Sequence, residues 1–126
     1  MTLAAESKPN NILFVNYHGT IGGGQIHLLN ILAELDRKKF NPQVVCCQEG
    51  VFVDKLNELG IATKLIFFGK AKFRYWIVAL KAIWKFYKIL KEQKIKLVHV
   101  SGLEEAKLAA YACHLAKVPM VWVVAP

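Results

Sequence analysis

Short apolar runs alternate with segments of helical periodicity along the whole chain. The first run, Asn11 to Tyr17, is almost continuously apolar and follows a polar segment that contains a proline. This pattern is typical of a strand that is buried on both faces of a parallel sheet. Similar runs predict four further strands, at Gln43 to Cys47, Ile61 to Phe68, Leu97 to Ser101 and Met120 to Val124.

Helical spacing fills the intervals between these strands. Apolar residues from Ile26 to Leu35 predict a helix that ends near Arg37, and Gly60 suits the C-terminal cap of a second helix, Val51 to Leu59. Two more helices are expected at 73–93 and 104–116. Strands separated by helices predict an α/β fold: a Rossmann-like parallel sheet of about five strands, in the order 3-2-1-4-5, with helices on both faces.

The chain of 126 residues, 55% of them hydrophobic, is long enough for one domain with a sizeable core. We expect a flexible leader at 1–10 and a single domain at 11–126, truncated after the fifth strand, because an apolar strand at that position needs cover. The leader lacks the basic and apolar regions of a signal peptide, and no stretch is long and apolar enough to span a bilayer. These features predict a cytoplasmic location.

Three cysteines, Cys46, Cys47 and Cys113, form an odd set without metal-binding spacing. Cys46 and Cys47 are neighbours in a predicted strand and therefore point to opposite faces, which makes a bridge between them difficult. We expect three free thiols in a reducing compartment and no metal site.

The loop HGTIGGG, from His18 to Gly24, connects the first strand directly to the first helix. In open α/β sheets, ligands bind beyond the carboxyl ends of the strands, next to the first strand. Glycines let backbone amides approach an anion, and a helix N-terminus favours negative charge. The loop therefore favours a phosphate or diphosphate, although three glycines can also simply make a tight turn.

Two common phosphate-binding motifs are absent from this loop. A dinucleotide fingerprint that began at Gly22 would need glycine at the position of His27. A P-loop that began at Gly19 would need Lys and Ser or Thr where Gln25 and Ile26 stand. NAD binding and ATP hydrolysis are therefore disfavoured.

Several segments in order resemble the N-terminal half of GT-B glycosyltransferases of family 4. They are GGGQIHLLNILAELDRKKFNPQVVCC, LNELGIATKLI, LVHVSG and AYACHLAKVPMVWVV, and together they cover most of the chain from Ile12 onward. The resemblance implies transfer of a sugar from a nucleotide-sugar to an acceptor with retention at the anomeric carbon, without a further cofactor. It also implies that this half holds the acceptor, that a C-terminal donor-binding domain holds the nucleotide, and that Gly22, Gly23 and Gly24 approach the donor diphosphate.

Two positions depart from the family pattern. Gln25 stands where the family often has Glu, and Ala125 stands where it often has a histidine near the acceptor. The usual catalytic histidine is therefore in doubt, and the catalytic residues stay open. Glu104 and Glu105 begin a helix, where the helix dipole accounts for adjacent acids.

Two of the four histidines, His18 and His99, are expected near the carboxyl edge of the sheet, where each could contact an acceptor or a phosphate. The alternatives are a polar loop residue for His18 and a buried, hydrogen-bonded histidine for His99. His27 and His114 are interpreted as structural.

The segment around the third predicted helix carries most of the net charge of +8, because residues 70–94 contain eight basic residues and one acid. Its aromatic residues and its lysines occupy different faces, a pattern typical of helices that bind anionic membrane surfaces. The candidate membrane-surface residues are Arg74, Trp76, Lys81, Trp84, Lys85 and Lys88. The alternative is an ordinary crossover helix with its apolar face on the sheet. Nucleic-acid binding is disfavoured, because no recognition motif accompanies the charge.

We therefore expect the acceptor-side domain of a glycosyltransferase that works on a sugar or lipid acceptor at the inner face of a membrane. Two alternatives remain: a non-catalytic half of a split transferase, and a flavodoxin-like module that binds a small molecule or anion.

Overall fold

The computed structural model describes residues 9–17, 22–66 and 76–123. Along the chain, the described strands and helices alternate. The strands are β1 (Asn10–Asn16), β2 (Phe40–Cys46), β3 (Ala62–Leu65), β4 (Ile95–Val100) and β5 (Met120–Trp122). The helices are α1 (Gly23–Glu34), α2 (Val51–Glu58), α3 (Trp76–Glu92) and α4 (Leu103–Ala116).

The five strands form one parallel sheet in the order β3-β2-β1-β4-β5. Alternate residues of β1 enter two separate cores, because successive side chains of a strand point to opposite faces. Ile12 and Phe14 pack with residues of α1 and α2, whereas Leu13 and Val15 pack with residues of α3 and α4. The predicted α/β class, the strand order and the helices on both faces are confirmed.

Two strands begin earlier than the apolar pattern predicted. β2 begins at Phe40, and its register against β1 continues through Asn41 and Pro42. Pro42 is tolerated there because β3 pairs with β2 only from Gln43 onward, so the proline lies where β2 has β1 alone beside it. β4 begins at Ile95, a buried residue between two exposed lysines.

The predicted cap at Gly60 is confirmed as a Schellman motif. Gly60 has a φ of 72°, in the left-handed region that glycine adopts without steric cost. Its N–H donates to the Asn57 carbonyl oxygen at 3.0 Å, and the Ile61 N–H donates to the Leu56 carbonyl oxygen at 3.0 Å. The motif ends α2 and turns the chain into β3.

None of the three cysteines is in a disulfide; Cys46 and Cys113 are buried and Cys47 is half-buried. Burial raises the pKa of the Cys113 thiol to about 11. Among the described residues, no helix is long and apolar enough to cross a bilayer. Within those same residues, no group of three or more potential ligands is placed to hold a metal ion.

Candidate functional site

The start of α1 presents backbone N–H groups at the carboxyl end of β1, the central strand. The first hydrogen bond of the helix joins the Ile26 N–H to the Gly22 carbonyl oxygen at 3.0 Å. The N–H groups of Gly23, Gly24 and Gln25 precede that bond and therefore have no partner within the helix. With the helix dipole behind them, these donors form a surface suited to an anion.

The glycines at this helix start are not required by the packing of the described residues. A Cβ placed on Gly23 or Gly24 would meet nothing within 4 Å, and both residues have helical backbone. Glycine in a helix costs about 0.5–1 kcal/mol relative to alanine, and no contact among the described residues offsets that cost at either position. No described residue fills the space beside their backbone, which is therefore suited to a ligand.

Gln25 connects the helix start to the end of β1. Its Oε1 accepts a hydrogen bond from the Gly22 N–H at 3.1 Å, and its Nε2 donates to Asn16 Oδ1 at 3.0 Å. Asn16, the last residue of β1, is only 2% exposed, and its Nδ2 donates to Cys46 Sγ on β2 at 3.5 Å. Side-chain hydrogen bonds thus connect Gly22, through Gln25 and Asn16, to β1 and β2.

The role of Asn16 was missed by the sequence interpretation, which treated the first strand simply as apolar. A signal was present, because an amide residue at the carboxyl end of a buried strand lies where ligands of open α/β sheets bind. The role of Gln25 was also only partly foreseen. An amide can donate to Asn16 and accept from Gly22 at once, which a carboxylate at this position cannot do.

His99 lies one residue before the end of β4, on the sheet face that carries α1 and α2. It is opposite Phe14 of β1, and the centres of the two rings are 5.1 Å apart. Burial lowers the pKa of His99 below its ordinary value of 6.5, a backbone hydrogen bond partly opposes this shift, and the charge of His27 lowers the pKa further. His99 is therefore a neutral imidazole at pH 7.

His27, interpreted from sequence as structural, has an exposed side chain on α1 and acts electrostatically on His99. The fold thus places His99 close enough to α1, the helix that begins with the glycines, for the charge of His27 to lower its pKa. Sequence spacing does not link these two histidines, since they lie 72 positions apart in the chain.

Three of the predicted site residues, His18, Arg74 and Ala125, lie outside the described residues. Gly22, Gly23, Gly24 and Gln25 all lie at the start of α1, as expected. Glu104 and Glu105 fall in the first turn of α4, whose N-cap residue is Gly102.

The candidate membrane-surface residues of α3 lie on its outer side. The helix packs into the core through Ala82, Phe86, Ile89 and Leu90. Trp76 and Trp84 are instead 60% and 59% exposed. Lys81, Lys85 and Lys88 are exposed as well. The tryptophans are therefore not the residues by which this helix covers the sheet.

The sheet itself exposes an apolar edge at β5. Val121 and Trp122 are each close to half exposed, and Val121 is the register partner of His99. Large apolar side chains on an edge strand are normally covered by another element or domain. This edge is therefore a surface suited to contact with another element or domain.

Comparison with solved structures shows a fold shared with large glycosyltransferases. MurG of Acinetobacter baumannii superposes with a TM-score of 0.75 at 16% identity, over 92% of this chain and 35% of MurG. HepE of Anabaena in complex with UDP gives 0.66 at 18% identity, over 89% of this chain and 28% of HepE. This chain thus spans about a third of the length of these enzymes.

The fold alone does not distinguish a transferase. The C-terminal domain of a hydrogenase from Pyrococcus furiosus superposes with a TM-score of 0.64 at 12% identity, over 90% of each chain. No curated protein sequence matched this chain. The sequence model of Glycosyltransferase Family 4, however, matches residues 21–124, which include the three glycines Gly22 to Gly24, His99 and all of α3. The chain therefore belongs to Glycosyltransferase Family 4, as its resemblance to the N-terminal half of such enzymes predicted.

Proposed function

We propose that this chain is the acceptor-side domain of a retaining glycosyltransferase that moves a sugar from a nucleotide-sugar to an acceptor. The observation that carries the proposal is the helix start at Gly23 and Gly24, where, among the described residues, the N–H groups have no partner and nothing occupies the adjoining space. Family membership favours a transferase over a flavodoxin-like module. We further propose that the nucleotide-sugar is the only small molecule the reaction needs besides the acceptor.

The donor diphosphate is proposed to bind against the N–H groups of Gly23, Gly24 and Gln25. As the bond between the anomeric carbon and the diphosphate oxygen breaks, negative charge accumulates on the leaving diphosphate. Donors that are already oriented stabilise this charge without reorganisation. The Gln25–Asn16 hydrogen bond would hold the start of the helix in place during the reaction.

His99 is proposed to contact the acceptor. A neutral imidazole can accept a hydrogen bond from a sugar hydroxyl, and the lowered pKa of His99 keeps the ring neutral at pH 7. The position of His99 near the carboxyl end of β4, beside the half-exposed Val121 of the edge strand, supports this role.

The donor-binding domain is proposed to be a separate Rossmann-like unit, in the same polypeptide or in a partner subunit. The exposed edge at β5 and the fraction of MurG and HepE that this chain spans support this arrangement. We expect the isolated chain to be inactive, because the donor-binding half is needed to complete the site. We also propose that the transferase acts on a sugar or lipid acceptor at the cytoplasmic face of a membrane.

The proposal is tested by adding bulk at the helix start. Gly23→Leu should leave the chain folded, because a side chain at Gly23 has room, but it should obstruct the diphosphate. With the donor-binding domain present and UDP-glucose as the first donor tried, transfer should fall by roughly a hundredfold or more. Ala33→Leu adds bulk to an exposed position of the same helix and should leave transfer unchanged. Unchanged turnover in Gly23→Leu would exclude this diphosphate site.

A further inference from the structure

Two recesses of opposite character lie along α3, one on the side of α4 and one on the side of β3. One, the apolar groove, lies between α3 and α4, has a volume of about 390 Å³ and is lined by Leu80, Ile83, Trp84, Tyr87 and Leu115. The other, the lysine pocket, lies between α3 and the end of β3 and has a volume of about 280 Å³. The basic side chains that line this pocket are Lys64, Lys85 and Lys88.

The apolar groove belongs to a wider apolar surface. Leu80 and Trp84 are more than half exposed, and Trp84 stacks on Tyr87 with ring centres 5.9 Å apart. On α4, Tyr111 and Leu115 are exposed to a similar degree and stand one helical turn apart. Soluble proteins rarely expose large apolar side chains in such a group unless the surface has a partner.

The lysine pocket is basic with little local compensation. Its acid, Glu92, lies 3.9 Å from Lys88 in an exposed ion pair, which leaves Lys64 and Lys85 without a carboxylate among the pocket residues. Lys64 comes from β3, a strand outside the basic segment seen in the sequence. The fold thus brings this lysine to the side of α3 where Lys85 and Lys88 lie.

We propose that these two recesses form a membrane-binding surface specific for anionic phospholipid. The lysine pocket takes the phosphate of the headgroup, and the apolar groove with its exposed tryptophan enters the boundary of the acyl chains. Charge complementarity selects this partner, since α3 carries four lysines and one acid. A nucleic acid would leave the apolar groove unused, and a neutral protein surface would leave the lysines unpaired.

This inference rests on the proposed function in one respect only, namely that the protein works at a membrane. Vesicle binding by α3 requires neither the donor nor Gly23. The Gly23→Leu variant should therefore bind vesicles like the original chain, while a variant of the lysine pocket should keep the chemistry on a soluble acceptor. Failure of one proposal is thus separable from failure of the other.

The test is flotation of the 126-residue chain with lipid vesicles. Binding is expected to vesicles that contain roughly a third phosphatidylglycerol in phosphatidylcholine, and to weaken with added salt. Vesicles of phosphatidylcholine alone should bind poorly. Equal binding to both kinds of vesicle would overturn the role of the lysines. Saturable binding of soluble glycerol phosphate with the same affinity would also overturn the proposal, because it would indicate a site for a free phosphate.

The decisive variants change the same number of charges at two places. Lys64→Glu/Lys85→Glu/Lys88→Glu should weaken binding to anionic vesicles by roughly tenfold or more. Lys38→Glu/Lys39→Glu/Lys55→Glu makes the same change in net charge at exposed lysines away from α3, and should bind much as the original chain does. Equal losses of vesicle binding in both variants would indicate that net charge alone drives binding, and would overturn the role of the lysine pocket. Should the first variant fail to fold, the corresponding Lys→Gln triple variant carries the same comparison.

The apolar half of the proposal has its own readout. In Leu80→Ser/Trp84→Ser, vesicle binding should fall several-fold, and part of the tryptophan fluorescence quenched by brominated acyl chains should be lost. Circular dichroism and thermal unfolding report whether the variant stays folded. Undiminished binding and quenching in a folded variant would overturn insertion of the groove.

Discussion

The side-chain amide of Gln25 joins the start of α1 to Asn16, with 3.0 Å between Gln25 Nε2 and Asn16 Oδ1. The same amide accepts a hydrogen bond from the Gly22 N–H, which completes one half of a capping box. Gly22 has no side chain to complete the other half. The order of this helix start therefore depends on one glutamine side chain and on the buried asparagine that holds it.

We predict a graded loss of stability in variants of Gln25. Gln25→Ala loses both hydrogen bonds and should lower the free energy of unfolding by about 1–2 kcal/mol. Gln25→Glu keeps an acceptor for the Gly22 N–H and places a negative charge in the first helical turn, which is worth about 0.3–1 kcal/mol. It loses only the donor to Asn16, so its stability should fall between those of the alanine variant and the original chain.

Urea unfolding measures this order, and Asn30→Ala, at an exposed position of the same helix, is the control. A double-mutant cycle with Asn16→Ala isolates the contact itself and should give a coupling energy of about 0.5–1.5 kcal/mol. Additive effects of the two substitutions would show that the Gln25–Asn16 bond contributes nothing to stability.

A second prediction concerns the stability of the chain in mild acid. The pKa of His99 is lower in the folded chain than in the unfolded one, so the unfolded chain takes up this proton first as the pH falls. The stability that neutral His99 contributes is therefore fully present above pH 6.5 and is lost below it. Between pH 7 and pH 5, the free energy of unfolding should fall more steeply in the original chain than in His99→Phe.

His99→Phe is a suitable comparison because a phenyl ring keeps the aromatic contact with Phe14 and cannot titrate. His27→Ala removes the neighbouring charge that lowers the pKa of His99 and should make the acid slope shallower than in the original chain. Parallel stability curves for the original chain and His99→Phe would contradict the burial of this imidazole as the source of its lowered pKa.

The order of the elements could be predicted from sequence because each strand is an apolar run bounded by helical periodicity. The positions of the strand ends could not, because they depend on pairing. β2 starts at Phe40 since its register with β1 holds from Asn10 onward, although Asn41 and Pro42 do not resemble strand residues. Local pattern contains no information about register with a segment 30 residues away.

Only the part of the candidate site formed by residues close together in the chain could be predicted from sequence. The glycines follow a strand and open a helix, which the sequence shows directly. The contact of Gln25 with Asn16 crosses the loop, and the influence of His27 on His99 joins distant segments, so neither follows from spacing. The sequence also left open whether the aromatic face of α3 binds a membrane or covers the sheet. The structure buries the side with Phe86 and Ile89 and exposes the side with Trp84.

A third prediction concerns the reactivity of Cys113. Burial raises the pKa of this thiol from 9.0 to about 11, and only the thiolate is nucleophilic. Near pH 8, the thiolate fraction of Cys113 should be roughly a hundredfold smaller than that of an ordinary cysteine, because each unit of pKa is a tenfold change. In the folded chain, Cys113 should therefore react with maleimide far more slowly than half-buried Cys47, as peptide mass spectrometry would measure. If the two cysteines react at equal rates, and neither high salt nor low temperature restores the protection of Cys113, the result would indicate that α4 opens readily.

The last prediction compares two helix ends that use the same motif with different residues. After α2, Gly60 adopts a φ of 72°, and after α4, Lys117 adopts a φ of 58°. The N–H groups of Lys117 and Val118 donate to the carbonyl oxygens of His114 and Cys113, which repeats the bonding found at Gly60. A residue with a Cβ pays about 1 kcal/mol for this left-handed backbone, and glycine does not.

Gly60→Ala should therefore lower the free energy of unfolding by about 1 kcal/mol, and Lys117→Gly should raise it by a similar or slightly smaller amount. A Cβ at Gly60 would meet nothing within 4 Å, so the loss at that position measures backbone strain rather than collision. Lys117→Ala removes the lysine side chain but keeps the Cβ, and so separates the loss of charge from the relief of strain. Urea unfolding of the three variants gives the comparison. A gain in Lys117→Ala as large as that in Lys117→Gly would assign the effect to the charge of Lys117 instead of to its left-handed backbone.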